Sequence, residues 1–177
     1  MKKLLLLFTV LCATVSLAQT KYLTKTGEVT FEASVPSFEE VKATNKNTTA
    51  ILNADNGEFA SLVLVKGFRF KNALMEEHFN ENYADSDDFP KAKLKGTIKN
   101  FSIRNSKTTF TATLNFHGRK VTFKDQPITI TTSNNDILLS GEFMVNVNDF
   151  GIEIPSVVSK KLSKDVKVNF KFSLKKK

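Results

Sequence analysis

The chain has 177 residues, 41% of them hydrophobic and 25% charged, with a formal net charge of +8. That is the length of one domain, with enough apolar material to bury a core unaided. Its single cysteine, Cys12, lies in a leader-like N-terminus. This excludes disulfides, thiol catalysis and cysteine-held metals from the rest of the chain.

The N-terminus opens with Met1-Lys2-Lys3, continues as an apolar run from Leu4 to Val15, and reaches a small-x-small site at Ser16-Leu17-Ala18. These features predict a cleavable secretory signal over 1–18, cut after Ala18, with 19–177 as the folded domain. The expected location is periplasmic or secreted; an uncleaved anchor is the alternative. The apolar run falls short of the roughly 18 residues a membrane-crossing helix needs, and no later segment approaches that length. Leu11 precedes Cys12, where a lipid-attachment signal wants a small residue. Lys2 and Lys3 account for two of the 26 basic residues, so the chain from residue 19 carries +6. Much of that excess falls in Lys160, Lys161, Lys164, Lys167, Lys171, Lys175, Lys176 and Lys177. Lysines on the solvent side of strands, where they block aggregation, account for it. Attraction to an anionic partner is the alternative.

Beyond the leader the chain reads as strands. Glu28 to Val35 alternates, with Val29, Phe31, Ala33 and Val35 on one face. Thr49–Leu52 and Glu58–Val65 flank Asn53-Ala54-Asp55-Asn56-Gly57, a turn cluster rich in residues that tolerate positive φ, which predicts a hairpin. Phe68 and Phe70 share a strand face, with Arg69 on the other. Asn72 to Tyr83 has helix formers and no Gly or Pro, and Leu74, Met75, His78 and Phe79 fall near helical spacing. Asp85 to Pro90 is a polar loop. Phe110, Ala112, Leu114 and Phe116 alternate, His117-Gly118 turns, and Val121 and Phe123 alternate again. Leu139, Gly141, Phe143, Val145 and Val147 form one apolar face; Val166, Val168, Phe170, Phe172 and Leu174 form the last. Asp149–Lys164 breaks the pattern, and Pro155 limits any strand there. The pattern is one antiparallel sheet with a helical insert, of a length that tends to close on itself.

Catalytic chemistry finds little support. His78 and His117 are the only histidines, with no His-Glu-x-x-His pair and no third ligand at metal spacing, so no metal or cofactor is expected. Glu76, Glu77 and His78 are adjacent on the helix and point different ways. His117 reads as a solvated turn residue. No Gly-x-Ser-x-Gly and no glycine-rich phosphate cradle occurs. Asp87 and Asp88 sit in a polar loop, and no acid/base pair falls on an apolar strand end. Lys66-Gly67-Phe68-Arg69-Phe70 partly matches an RNA-binding strand motif, but that fold alternates β and α, so no nucleic-acid partner is expected. The 16 Phe residues, with 2 Tyr and no Trp, fill a thick core or line an apolar cavity; alternation does not choose between them.

The order of three motifs resembles the YceI-like family, the polyisoprenoid-binding, lipocalin-like proteins of the bacterial envelope. Met75-Glu76-Glu77-His78-Phe79 followed by Asp88-Phe89-Pro90-Lys91-Ala92 is similar to the family's short helix with a His and its aromatic-Pro loop. Leu114-Asn115-Phe116-His117-Gly118-Arg119-Lys120-Val121 resembles its Leu-x-x-x-Gly-x-x-x-x-Val hairpin. Asp149-Phe150-Gly151-Ile152 matches its Asp-Phe-Gly-Ile-like motif. The resemblance runs over roughly 22–174. It departs at Val147, where many members carry an Arg, so no head-group preference is carried over.

The resemblance implies an extended eight-stranded antiparallel barrel with a helix capping one end and an apolar tunnel for an isoprenoid or fatty-acyl chain. An eight-stranded barrel can enclose one small ligand. The expected function is therefore non-enzymatic binding of a long apolar, lipid-like molecule. Phe31, Phe59, Phe110, Leu114, Phe116, Phe143, Phe170 and Phe172 would line the barrel, with His78 and Arg69 meeting a polar head at the mouth. A filled barrel that docks an envelope partner through its surface is the competing expectation. A lipid hydrolase or isomerase is a third, without a nucleophile or base partner to support it. The oligomeric state stays open, a homodimer included.

Overall fold

The computed structural model describes residues 19–36, 38–104 and 106–177; the expected leader over 1–18, with Cys12, lies outside them. In chain order the strands are β1 (Lys21–Ser34), β2 (Lys42–Asn53), β3 (Glu58–Leu64), β4 (Arg69–Phe70), β5 (Lys91–Ile98), β6 (Ser106–Phe116), β7 (Arg119–Ser133), β8 (Asp136–Asn146) and β9 (Leu162–Lys176). The helical insert is α1 (Ala73–His78), continued by a π turn over Phe79–Tyr83. Asn72 caps α1, its side chain accepting from the Leu74 N–H at 2.9 Å.

Every pairing is antiparallel, and neighbours run β1-β9-β8-β7-β6-β5-β3-β2. β1 pairs with β9 on one edge and with β2 on the other, so the ring of eight strands closes. The two-residue β4 pairs only with the start of β2, through Ala43–Phe70 and Thr44–Arg69. It takes the place of β3, which pairs with β2 from Thr49 to Leu52. Asn45 sits at this changeover, buried, donating to the Leu64 carbonyl at 2.9 Å and accepting from the Asn47 N–H at 2.8 Å.

The expected hairpins form at the expected turns. Thr49 faces Leu62 across the Asn53–Gly57 turn, and Phe116 faces Arg119 across His117-Gly118. His117 and Gly118 both have positive φ, 48° and 71°, as a two-residue hairpin turn matched to strand twist requires. The strands are longer than alternation alone suggests: β1 begins at Lys21, β2 at Lys42, and β5 separates the helical insert from β6.

One end of the barrel is solid. Tyr22, Leu52, Phe59, Ile98, Phe110, Ile130, Ile137, Leu139 and Leu174 are buried there in a single apolar cluster. Phe59 and Phe110 meet edge to face at 5.6 Å, a geometry aromatic quadrupoles favour. The outward face is polar: Lys91, Lys93 and Lys95 on β5 and Lys167, Lys171 and Lys175 on β9 all point to solvent. Among the described residues no helix is long and apolar enough to cross a membrane. Replacing Phe110, which is 1% exposed, with Ala leaves a void in the solid half; the expected loss is about 3–5 kcal/mol, read from the midpoint of urea unfolding.

Candidate functional site

The other end of the barrel, where β1, β3, β6 and β8 finish, is hollow. It encloses a cavity of about 460 Å³, within the size range of small-molecule sites. Inward-facing residues of β1, β3, β5, β6, β8 and β9 wall it, among them Val29, Val63, Leu94, Val145 and Val168. Phe38 and Val41 come from the β1–β2 loop, and Ile152, Ile154 and Val158 from the loop before β9. Among the described lining residues, only Glu39, Ser61, His78, Tyr83, Lys161 and Ser163 have polar side chains.

The sequence-expected residues fall into three groups. Phe31, Leu114, Phe116, Phe143, Phe170, Phe172 and His78 line the cavity. Phe59 and Phe110 face inward but lie beneath it, in the solid half, packed against Phe170 at 6.3 and 5.7 Å. Arg69 points outside. Its Nη1 donates to Glu76 Oε1 at 2.9 Å and to the carbonyls of Lys66 and Phe68, so its charge holds α1 to β4 rather than facing the lumen. Glu76 completes the clamp by accepting from the Phe70 N–H at 3.1 Å.

Several lining residues were absent from that set. Phe68, Phe70 and Phe79 surround Phe31, with ring centroids 4.9, 5.6 and 5.0 Å away. The signal was present in the shared face of Phe68 and Phe70 and in the helical spacing of Met75 and Phe79, both of which reach the cavity. Phe150 and Ile152, from the Asp-Phe-Gly-Ile segment, are likewise buried and lining.

The cover is held at one point by His117, which is not the solvated turn residue its sequence context suggests. Its side chain is only 15% exposed. Nδ1 meets the Phe150 carbonyl at 2.9 Å, and Nε2 meets Asp85 Oδ2 at 3.0 Å. The carbonyl can only accept, so Nδ1 carries a proton. Phe89 packs on the same imidazole at 4.6 Å and lies over Gly118, where a Cβ would come within 3.1 Å of the ring. One side chain on the β6–β7 turn thus joins the loop after the helical insert to the Asp149-Phe150-Gly151 segment, which turns at Gly151 with φ 72°. Among the described residues no group of three or more His, Cys, Asp or Glu gathers as a metal site requires.

A closed eight-stranded antiparallel barrel, solid at one end and carrying an apolar cavity at the other, is a lipocalin-like architecture. The family model for the YceI-like domain matches residues 21–174, and the chain belongs to that family. Its fold is shared with solved structures of low sequence identity. A polyisoprenoid-binding domain from Saccharophagus degradans, implicated in plant cell wall breakdown, superposes with a TM-score of 0.76 at 12% identity, covering 90% of this chain and 100% of that one. BcnA from Burkholderia cenocepacia gives 0.70 at 14% identity, over 84% and 95% of the two chains. The YceI protein of Campylobacter jejuni gives 0.64 at 13%, over 81% and 88%. No curated protein sequence matches.

Replacing His117 with Ala removes both hydrogen bonds and leaves the Phe150 carbonyl without its partner. The expected cost is about 1–3 kcal/mol. Hydrogen exchange should locate the loosening at 85–90 and 147–152 while the strand amides of the solid half stay protected; uniform loss of protection across the barrel would contradict this role.

Proposed function

We propose that this protein binds, without transforming it, the chain of an isoprenoid or fatty-acyl lipid in the hollow half of its barrel, in the bacterial envelope. The cavity carries this reading. Apolar surface walls a space of about 460 Å³, and each methylene moved into such a space from water contributes roughly 0.8 kcal/mol. The polyisoprenoid-binding domain among the structural neighbours supports the ligand class. The leader over 1–18 supports an extracytoplasmic setting. His78 and Lys161 line the same cavity, and their side chains carry donors for an oxygen-bearing head.

Native mass spectrometry of protein purified without detergent, followed by organic extraction, tests the reading. The expected result is a stoichiometric adduct with a long hydrocarbon tail, or its appearance when a polyprenyl or fatty-acyl compound is added. A clean apo mass that takes up neither would favour a surface-docking module instead. Ala92 lines the cavity from β5, so Ala92→Trp should weaken uptake at least about tenfold by occupying the lumen, with the unfolding midpoint little changed.

A further inference from the structure

We propose that the stacked pair Phe170 and Phe172 is a length stop, so that the hollow half takes only the first segment of a hydrocarbon chain and any remainder stays outside the mouth. The inference rests on the lipid-binding reading above and adds which residues set the bound length.

Phe170 and Phe172 lie on the same face of β9, their rings stacked at 4.9 Å with 19° between planes. Both line the cavity and both are buried. Packed against Phe170 are Phe59 and Phe110, which do not line it. The two rings are seated in sockets formed by missing side chains. A Cβ on Gly141 would come 2.5 Å from Cζ of Phe170, and one on Gly27 would come 2.6 Å from Cδ1 of Phe172. Neither glycine has a positive φ, so what these positions need from glycine is space for the ring rather than an unusual backbone. Phe170, seated in the wall and backed by these rings, and Phe172, stacked on it, have no free direction in which to yield except toward the cavity.

The volume sets the length. A space of about 460 Å³ corresponds to on the order of fifteen groups the size of water at roughly 30 Å³ each. A chain carbon occupies nearly the same volume, so about three isoprene units fill the hollow half. A fourth unit finds the floor and gains nothing from burial.

The test is competition against tritiated farnesol by geraniol, farnesol, geranylgeraniol and solanesol, each longer than the last. For the natural sequence, affinity should rise by at least roughly tenfold from geraniol to farnesol and by less than about twofold beyond it, because further carbons stay in water. Phe170→Ala removes a ring of about the volume of one isoprene unit and should move the break to geranylgeraniol. Gly141→Ala pushes the same ring toward the cavity and should move the break the other way, weakening farnesol while sparing geraniol. The second variant keeps the idea exposed to failure if the first does not fold. Affinity that climbs without a break through solanesol overturns the length stop. So does a break that stays put in a variant with native circular dichroism; in both cases farnesol binding leaves the lipid-binding reading intact. Failure of every prenol to bind the natural sequence overturns the isoprenoid form of that reading, and this inference with it.

Discussion

The pairing of β1 with β2, added to its pairing with β9, turns a sheet into a tube, and the remaining features answer the problem this creates. Closure removes the open sheet edges that invite aggregation. It also fixes the lumen, since strand number sets the diameter. A lumen of that diameter must be filled by the chain's own side chains or by something else. This molecule does each in a different half. Large residues fill one end, where Phe59, Phe110 and Leu139 are buried. At the other end smaller inward residues such as Ala33, Ser61 and Ala92 leave the space open. The two architectures weighed from the sequence, a filled barrel and a hollow one, are thus stacked along one axis.

Closure needs a concession near the mouth. β3 cannot follow β2 along its whole length, and the chain inserts a 3-10 turn over Val65–Gly67 before β4 resumes the pairing. Asn45 stabilises this gap by supplying, from its side chain, the hydrogen bond that Leu64 would otherwise lack. A polar residue on an inward face is costly unless it is paired, and here the pairing is what lets two short partners share one long strand.

How much of this could be read in the residues differs between strands. β8 and β9 alternate cleanly because their inward residues are mostly large and apolar, Gly141 apart. β2 was legible only over its last residues. Its inward positions include Ala43, Asn45, Thr48 and Ala50, where close neighbours and the changeover of partners favour small or polar side chains. The candidate site was legible by face but not by depth. Phe110 and Phe116 obey the same alternation on the same strand, yet one belongs to the solid half and the other to the cavity. Depth along a barrel depends on register and on neighbours distant in sequence, which period-two alternation does not encode. Arg69 shows the converse. Its outward side was readable from Phe68 and Phe70, and that placement already argued against a role in the lumen. His117 was misread because a His-Gly turn is normally solvated; its burial comes from two segments more than 30 residues away in sequence.

The cover of the cavity is made of parts that would not hold by themselves. α1 has six residues and none is buried, so propensity alone would not keep it folded. It is anchored by the Arg69–Glu76 clamp and by Phe79, whose ring packs with Phe31, Phe68 and Phe70. Those four rings also line the cavity. The surface that fastens the cover is therefore the surface a hydrocarbon chain would touch. Contacts made by such a chain add to the packing that keeps the cover in place, and a ligand that binds the covered form stabilises it by mass action. His117 fastens the Asp149-Phe150-Gly151 segment, and the loop after the helical insert, by hydrogen bonds to the Phe150 carbonyl and to Asp85. The two sides of the mouth thus differ in how they are held: one by the hydrogen bonds of His117, the other by an ion pair and by aromatic rings that belong to the lining.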